Sequence, residues 1–416
     1  MGDVIAIDDL AAPVLNDVQR MAIDYGESKT TVLTVDAVCD AARRRTGLGN
    51  FGDEDFTVRL GVQLAEMDAD EERTGIGRLM MFGDCVRAAA NRLRIHDLLT
   101  RHPEILEIPI ARPVIVVGLP RSGTTHLVNL LAADTRFHSM PLWESYEPVP
   151  NPDEPSQVDG VDPRWTRCQG TWESMQAAAP LVAAMHPMEP DHVHEEIELQ
   201  MPDFSSYTLE WVARAPRWRD HYLNHDQTRH YAYMKSVLQI LQWFHPKERW
   251  VLKSPQHLEQ LGPLLSTFPD ATIVVTHRDP VAVVQSTITM ACYGARTAYR
   301  TTRPEWYRDY WTERIGTLLD TSLRDRHLLA EDRTVDVFFD EYMADELGTL
   351  ERVYDCAGIA LTQQPRAEVA EYQGAHPRGR EGRVAYDLRR DFAVTPEEIR
   401  SRFGPYLDRF PVRIEV

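Results

Sequence analysis

The residues best suited to chemistry lie in a short loop framed by Gly118 and Gly123, with the sequence Gly-Leu-Pro-Arg-Ser-Gly-Thr-Thr. Glycines at this spacing let several backbone N–H groups converge on one anion, and the helix that follows adds its positive N-terminus. Loops of this type that bind ATP or GTP continue with a lysine for the terminal phosphates. Here Thr124 and Thr125 follow instead, and the cation is Arg121 inside the loop. The loop therefore predicts an anion site but disfavours phosphoryl transfer.

A second arginine stands where another predicted strand gives way to a helix. Residues 272–276 are apolar and β-branched, and Asp279 and Pro280 suit the N-cap and first residue of a helix. Arg278 lies at this junction, and Ser286 follows it by eight residues, or about two helical turns. Alone, this pattern predicts a capped helix and a surface arginine. Together with the first loop, it predicts a nucleotide that carries phosphates at two positions.

These segments resemble the successive motifs of sulfotransferases that use 3′-phosphoadenosine 5′-phosphosulfate (PAPS). The motifs are Gly-Leu-Pro-Arg-Ser-Gly-Thr-Thr, Leu-Lys-Ser-Pro-Gln-His-Leu and His-Arg-Asp-Pro-Val-Ala-Val-Val-Gln-Ser. The layout over most of the chain is similar to the bacterial, largely actinobacterial branch of that superfamily. The resemblance implies an α/β fold with a P-loop-type central parallel sheet flanked by helices. It also implies transfer of a sulfuryl group from PAPS, without a metal, to a hydroxyl of a small, apolar acceptor such as a lipid, steroid or phenol.

The resemblance implies roles for individual residues in holding PAPS. The 5′-phosphosulfate is expected on the first loop, at Arg121, Ser122, Gly123, Thr124 and Thr125. The 3′-phosphate is expected on Arg278 and Ser286. Near the end of the chain, Arg378 and Gly379 match a motif that closes over the nucleotide, although Pro377 stands where the family has an arginine.

The resemblance also implies a catalytic lysine. Lys253 ends the apolar run Arg-Trp-Val-Leu-Lys and matches the family's lysine, which stabilises charge on the leaving oxygen with help from Arg121. A base must take the proton of the acceptor hydroxyl, and its identity stays open. The candidates, in order of preference, are Glu144, then His257, then Glu196 or its neighbour Glu195.

Two functions of other classes remain as alternatives. One is a P-loop nucleotide kinase or NTPase, which the missing loop lysine disfavours. The other is a non-catalytic protein that binds adenosine bisphosphate, which Lys253 and the acidic candidates disfavour. The segment His-Val-His-Glu-Glu-Ile-Glu also contains His and Glu at helical spacing. A metal site there is disfavoured, because the pattern is not the His-Glu-x-x-His of zinc enzymes.

The elements that must position these residues follow from the apolar pattern. Residues 1–110 predict helices that cap the fold, and residues 111–416 predict the α/β core. Continuous apolar runs, typical of strands buried in a parallel sheet, occur at 113–117, 249–253, 272–276 and 334–339. Aromatic residues between the first two strands are candidates for the acceptor pocket, although a core position is the safer interpretation for most of them: Trp172, Phe204, Tyr207, Trp211 and Trp218.

Composition limits the class of protein and of partner. The 416 residues carry a net charge of −19 at pH 7, which disfavours nucleic acid and other polyanions as partners. No apolar run approaches the ~20 residues of a membrane span, and no signal peptide is evident. Five scattered cysteines suit a reducing compartment, so a cytoplasmic location is expected. The oligomeric state stays open, with a homo-oligomer among the alternatives.

Overall fold

A central five-stranded parallel sheet organises the structure, a computed structural model that describes residues 4–377 and 380–416. The strands in chain order are β1 Val4–Ala6, β2 Val114–Gly118, β3 Phe137–His138, β4 Arg249–Lys253, β5 Thr272–His277, β6 Thr334–Phe338 and β7 Arg383–Ala385. The sheet has the order β3-β4-β2-β5-β6, with β2 in the centre. Val116 pairs with Lys253, and Gly118 pairs with Thr276. The carboxyl ends of these three strands therefore meet at one edge.

Helices surround the sheet. Four precede β2: α1 Asp17–Glu27, α2 Val35–Thr46, α3 Phe56–Ala69 and α4 Gly75–Arg101. Seven lie between β2 and β4: α5 Thr124–Ala132, α6 Leu142–Tyr146, α7 Pro163–Ala178, α8 Val182–Met185, α9 Thr208–Val212, α10 Pro216–Leu223 and α11 Thr228–Phe244. The others are α12 Leu261–Thr267, α13 Pro280–Ala298, α14 Pro304–Asp325, α15 Phe339–Ala344, α16 Glu346–Ala357, α17 Gln363–Ala375, α18 Leu388–Phe392, α19 Pro396–Arg400 and α20 Gly404–Arg409. Short 3₁₀ segments are Pro103–Glu107, Glu196–Asp203, Pro255–Glu259, Arg326–Leu328, Glu331–Arg333 and Ser401–Phe403.

The strands form because their residues are apolar on both faces. In β2, Ile115 and Val117 belong to one apolar core, whereas Val114 and Val116 belong to another on the opposite face. Burial on both faces is typical of a parallel sheet covered by helices. The predicted α/β fold with a helix-flanked P-loop-type sheet is confirmed, and the four predicted strands are present with ends shifted by at most one residue.

A separate two-stranded parallel sheet joins two segments that are far apart in the sequence. β1 pairs with β7 through Val4↔Arg383, Ile5↔Val384 and Ala6↔Ala385. The prediction of helices throughout residues 1–110 is therefore incomplete. Each of these strands has only three residues, and its partner lies far away in the sequence. A local sequence period therefore does not predict either strand.

The N-terminal helices have an apolar core of their own. It joins residues of α2, α3 and α4 with residues of α9 and α10. The C-terminal part of α4 leaves this cluster. Its Ile95 and Leu98 belong to the core on the face of the sheet with Ile115 and Val117, which we call the main core. Helix α4 thus links the two cores. The division of the chain at residue 110 stays a prediction.

Two further expectations concern the thiols and the membrane. Cys39, Cys85, Cys168 and Cys292 are free and buried, and Cys356 is partly exposed. Within residues 4–377 and 380–416, no helix combines the length and the apolar character needed to cross a membrane.

Candidate active site

The first loop has a backbone that few side chains allow. Arg121 and Gly123 both have left-handed backbone angles, with φ of 64° and 86°. A Cβ atom on Gly118 would lie 1.9 Å from Oγ1 of Thr276, so this glycine lets the loop lie against β5. The Ser122 hydroxyl contacts the same Thr276 oxygen at 2.7 Å. The loop is therefore fastened to the edge where β2 and β5 end.

The first loop and the N-terminus of α5 offer backbone donors and the Arg121 guanidinium to an anion. Gly123 is the N-cap of α5 and provides no side-chain cap, so first-turn N–H groups of the helix lack intrahelical acceptors. Arg121 is half-buried, and its Nε donates to the Ser286 hydroxyl at 2.9 Å. Over the described residues, no carboxylate pairs with Arg121. Burial lowers the pKa of Arg121, and an anion would restore the stability of its charge.

Lys253 lies beside this loop at the end of β4. Only 2% of the residue is exposed, and its Nζ donates to Oγ1 of Thr125 at 3.2 Å. The ammonium also forms an ion pair with the Glu195 carboxylate. The backbone N–H of Lys253 donates to Oε2 of Glu196 at 2.8 Å. The structure thus brings together Lys253 and the loop residues that the sequence associated with it.

Arg278 lies between the first loop and the last segment of the chain. Its Nη1 donates to the backbone oxygen of Arg121 at 2.7 Å, which joins the two predicted anion sites. Its Nε and Nη2 form a bidentate pair with the Glu415 carboxylate at 2.7 and 2.8 Å. Its guanidinium also stacks 3.9 Å from the Phe339 ring centre. The planar fork of Arg278 is therefore directed at an oxyanion, which here is a carboxylate.

The helix that follows Arg278 is closed by its own cap. Oδ1 of Asp279 accepts from Val281 N at 3.0 Å, which confirms Asp279 as the N-cap of α13. Its other oxygen accepts from Glu415 N at 2.9 Å. Because Asp279 occupies this helix N-terminus, an anion at the second site depends on the side chains of Arg278 and Ser286. The two predicted sites are therefore built differently.

Glu144, the first-ranked base, lies near the other end of β4. Its carboxylate is 3.3 Å from Nε2 of His245, which follows α11 and precedes Arg249, the first residue of β4. Lys253 is the last residue of that strand, about 13 Å further along. Burial raises the pKa of Glu144 to about 7, and Arg164 opposes this rise. Among the described residues, Glu144 makes no hydrogen bond or ion pair with Lys253 or the first loop, so its role as the base stays a prediction.

His257, the second-ranked base, is enclosed. It is fully buried, its Nε2 lies 2.5 Å from Oε1 of Glu196, and its Nδ1 lies 2.9 Å from the Tyr231 hydroxyl. Burial opposes ionisation of Glu196, but His257 and the hydrogen bonds outweigh it and lower the pKa of Glu196. Ser254 caps this segment, because its side chain accepts from Gln256 N at 3.1 Å. His257 and Glu196 therefore satisfy each other and fix the backbone of Lys253.

Glu195 is the acidic candidate that reaches the site. It pairs with Lys253, and its side chain is 13% exposed, whereas the Glu196 side chain is fully buried. The two neighbours have different roles. Glu196 anchors the segment, and Glu195 faces the loop. Among the candidates for the base predicted from the sequence, Glu196 and its neighbour Glu195 were in third place.

The sequence considered His192 and His194 only as part of a disfavoured metal site, and the structure groups them with His186 near Lys253. The rings of His186 and His192 lie 6.1 Å apart, and the ring of His194 lies 6.4 Å from that of His186. Burial, His194 and Lys253 together lower the pKa of His192 to about 3. Burial, with help from His192, Lys253 and Arg121, also lowers the pKa of His186. The imidazoles of His186 and His192 are therefore neutral near pH 7.

The remaining predicted residues are divided between the core and the undescribed part of the chain. Arg378 and Gly379 lie outside the described residues. Of the five aromatic candidates, Trp211 is half-exposed, and the others are buried: Trp172, Phe204, Tyr207 and Trp218. Among the described residues, the Tyr207 hydroxyl has no hydrogen-bond partner. The described residues contain no group of three or more His, Cys, Asp or Glu arranged for a metal.

Comparisons with known proteins agree with this geometry. The sequence profile described as the sulfotransferase family matches residues 113–363, which is more than half of the chain. The chain is 27% identical to the solved sulfotransferase STF9 of Mycobacterium avium, with a TM-score of 0.82 over 93% of this chain and 99% of that one. It is 26% identical to sulfotransferase STF1 of Mycobacterium tuberculosis H37Rv, with a TM-score of 0.76 over 89% and 98%. Among curated proteins, none matches the chain.

Proposed function

Since the chain belongs to the sulfotransferase family and is an enzyme of that class, we propose that it transfers a sulfuryl group from PAPS to a hydroxyl of a small, apolar acceptor. One observation carries the proposal. The uncapped N-terminus of α5 and the Lys253–Thr125–Glu195 contacts lie together at the carboxyl ends of β2 and β4. This arrangement offers a cradle for an anion, a cation for a leaving oxygen and a carboxylate for a proton.

PAPS fits the residues because its two anionic ends match two different groups. The 5′-phosphosulfate is assigned to the first loop, where Arg121 supplies charge and backbone N–H groups supply donors. The 3′-phosphate is assigned to Arg278 and Ser286. A phosphate there replaces the Glu415 carboxylate in the bidentate pair with Arg278.

The transfer step assigns one role to each residue beside the loop. The acceptor oxygen forms a bond to sulfur while the bond from sulfur to the bridging phosphate oxygen breaks. Adenosine 3′,5′-bisphosphate leaves with that electron pair, and Lys253 stabilises the charge on the oxygen. The acceptor's proton moves to Glu195. When the donor binds, Lys253 gains another anionic partner, so Glu195 is released to act as the base.

We assign the acceptor side of the site to an apolar region near Glu195. Tyr207, Trp211 and Trp311 form an aromatic cluster with ring centres 4.3 to 6.2 Å apart. Burial raises the pKa of Tyr207 well above its ordinary value, and Glu195 is among the charges that act on it. Neutral His186 and His192 lie on the same side as Lys253. These surroundings support an uncharged, largely apolar acceptor that bears a hydroxyl.

The decisive experiment is a search by mass spectrometry for acceptors. The purified protein is incubated with PAPS and a metabolite extract, and molecules that gain SO₃ are identified. We expect sulfated products that are absent without PAPS and absent with Lys253→Met. Tight binding of adenosine 3′,5′-bisphosphate without any sulfated product would favour the non-catalytic alternative. Turnover of ATP with Mg²⁺ would favour the kinase alternative.

The second anion site has its own test. The Arg278→Ala variant lacks the guanidinium assigned to the 3′-phosphate. We therefore expect its affinity for adenosine 3′,5′-bisphosphate to fall by about 10- to 100-fold in calorimetry. The matched variant Glu415→Gln removes the competing carboxylate and is expected to tighten binding by a few-fold. Unchanged affinity in Arg278→Ala would refute the second site.

The sequence-based expectations about location and partners also belong to this proposal. The net charge of −19 supports a small-molecule partner rather than nucleic acid. A cytoplasmic location stays a prediction that fractionation can test. The oligomeric state, a homo-oligomer included, can be measured by light scattering.

A further inference from the structure

A tyrosine outside all the sequence motifs reaches the group of polar atoms that joins the two anion sites. The Tyr386 hydroxyl lies 2.9 Å from Oγ of Ser286, and the same Oγ accepts from Nε of Arg121 at 2.9 Å. One guanidinium and two hydroxyls thus converge, and across the described parts of the chain no carboxylate joins them. A cation with two rotatable hydroxyl donors is suited to bind an oxyanion.

Three distant segments bring these groups together. Arg121 comes from the first loop, Ser286 from the second turn of α13, and Tyr386 from the residue directly after β7. Strand β7 is held by its pairing with β1, and Val384 within it is buried in the main core beside Ile7. Tyr386 is therefore anchored one residue from a paired strand, and it is partly buried. The pairing of β7 with β1 fixes the backbone next to Tyr386.

We propose that Tyr386 is a further nucleotide-binding residue, whose hydroxyl donates to the 3′-phosphate beside Ser286. The inference rests on the proposed function, which assigns this phosphate to Arg278 and Ser286. Each hydroxyl has one proton and can rotate it toward an incoming oxyanion, while Arg121 keeps its guanidinium nearby. The β1–β7 sheet then connects the first residues of the chain to nucleotide binding, because it fixes Tyr386.

The test compares two nucleotides that differ only in the phosphate concerned. Tyr386→Phe removes a single hydroxyl, and calorimetry measures the affinity for adenosine 3′,5′-bisphosphate and for adenosine 5′-monophosphate. Affinity for the bisphosphate is expected to fall by about tenfold, the effect of one hydrogen bond to a charged group. Affinity for the monophosphate is expected to stay within about twofold. In turnover assays, KM for PAPS rises while kcat changes little.

Controls separate a role in binding from a role in folding. Tyr25→Phe is the matched control, because Tyr25 is exposed on α1 and lies outside the site. Thermal unfolding of each variant checks that the fold is kept. Equal losses for both nucleotides would make Tyr386 a structural residue, and no loss for either would also overturn the inference. If the wild-type chain does not bind the bisphosphate, the proposed function itself fails, which is a different outcome.

Discussion

At the carboxyl end of β4, Glu195 pairs with the ammonium of Lys253, whereas near the amino end of the same strand Glu144 lies 3.3 Å from the imidazole of His245. Both carboxylates are largely removed from solvent, with 13% and 6% of their side chains exposed. Both lie next to a basic side chain. They differ in the partner's charge and in what else lies nearby. Glu195 contacts Lys253, which also contacts Thr125, and Glu144 contacts His245.

The two carboxylates differ in their partners. Glu195 forms an ion pair with Lys253. His245 has a lowered pKa, chiefly from burial, so it is a weak source of positive charge for Glu144. Burial therefore prevails at Glu144 and raises its pKa to about 7. A pKa near 7 is often taken as the mark of a general base, but the position on the strand is the better guide here.

The largest effect is expected from removing the cation at the carboxyl end of β4. Lys253→Met keeps the length of the side chain but leaves the leaving oxygen without its ammonium. We expect kcat to fall by at least about 10²- to 10³-fold, with little change in affinity for adenosine 3′,5′-bisphosphate. Exposed Lys29→Met is the control. Equal losses of turnover and affinity would show that Lys253 acts in binding rather than in the transition state.

The next effect in size concerns the carboxylate paired with this lysine. Glu195→Gln preserves shape and an acceptor oxygen but cannot take a proton, so kcat is expected to fall by about 10²- to 10⁴-fold. Across a series of accepted hydroxyl compounds, the loss should shrink as the acceptor becomes more acidic, because less help is needed to remove its proton. Glu189→Gln, in the same segment and partly exposed, is the matched control. A change of less than about threefold would exclude Glu195 as the base.

The order of preference between Glu144 and Glu195 shows which parts of the site could be predicted from the sequence. Strands β2, β4 and β5 could be predicted from their apolar runs, and parallel strands place their carboxyl ends together, so Lys253 and the first loop were expected to be neighbours. The segment that contains Glu195 has no helical or strand period to predict its course. Its position is set by bonds from Glu196 to the backbone of Lys253 and to His257. Such contacts between distant segments leave no local pattern.

Tyr386 could not be predicted from the sequence, for a related reason. It follows a three-residue strand whose partner is β1, at the other end of the chain. No motif frames it, and its contact with Ser286 joins residues 100 positions apart. The fold class and the basic residues of the site could therefore be predicted from local patterns. The residues added from other segments needed the tertiary structure.

The smallest effect on activity, but a measurable effect on stability, is expected at the amino end of β4. Glu144→Gln imitates the protonated carboxyl that burial favours, so kcat is expected to stay within about twofold. The free energy of unfolding should change with pH. Because the pKa of Glu144 is raised from 4.5 to about 7 in the folded chain, wild-type stability from this group is full below about pH 4.5 and is lost as pH rises through 7.

Urea unfolding at about pH 5 and about pH 8 measures this loss. At the higher pH, Glu144→Gln is expected to be more stable than the wild type by up to about 3 kcal/mol, since each pKa unit corresponds to about 1.4 kcal/mol. At the lower pH the difference should be below about 1 kcal/mol. Exposed Glu107→Gln serves as the control. If Glu144→Gln instead abolished turnover while Glu195→Gln preserved it, the roles of the two ends of β4 would be reversed.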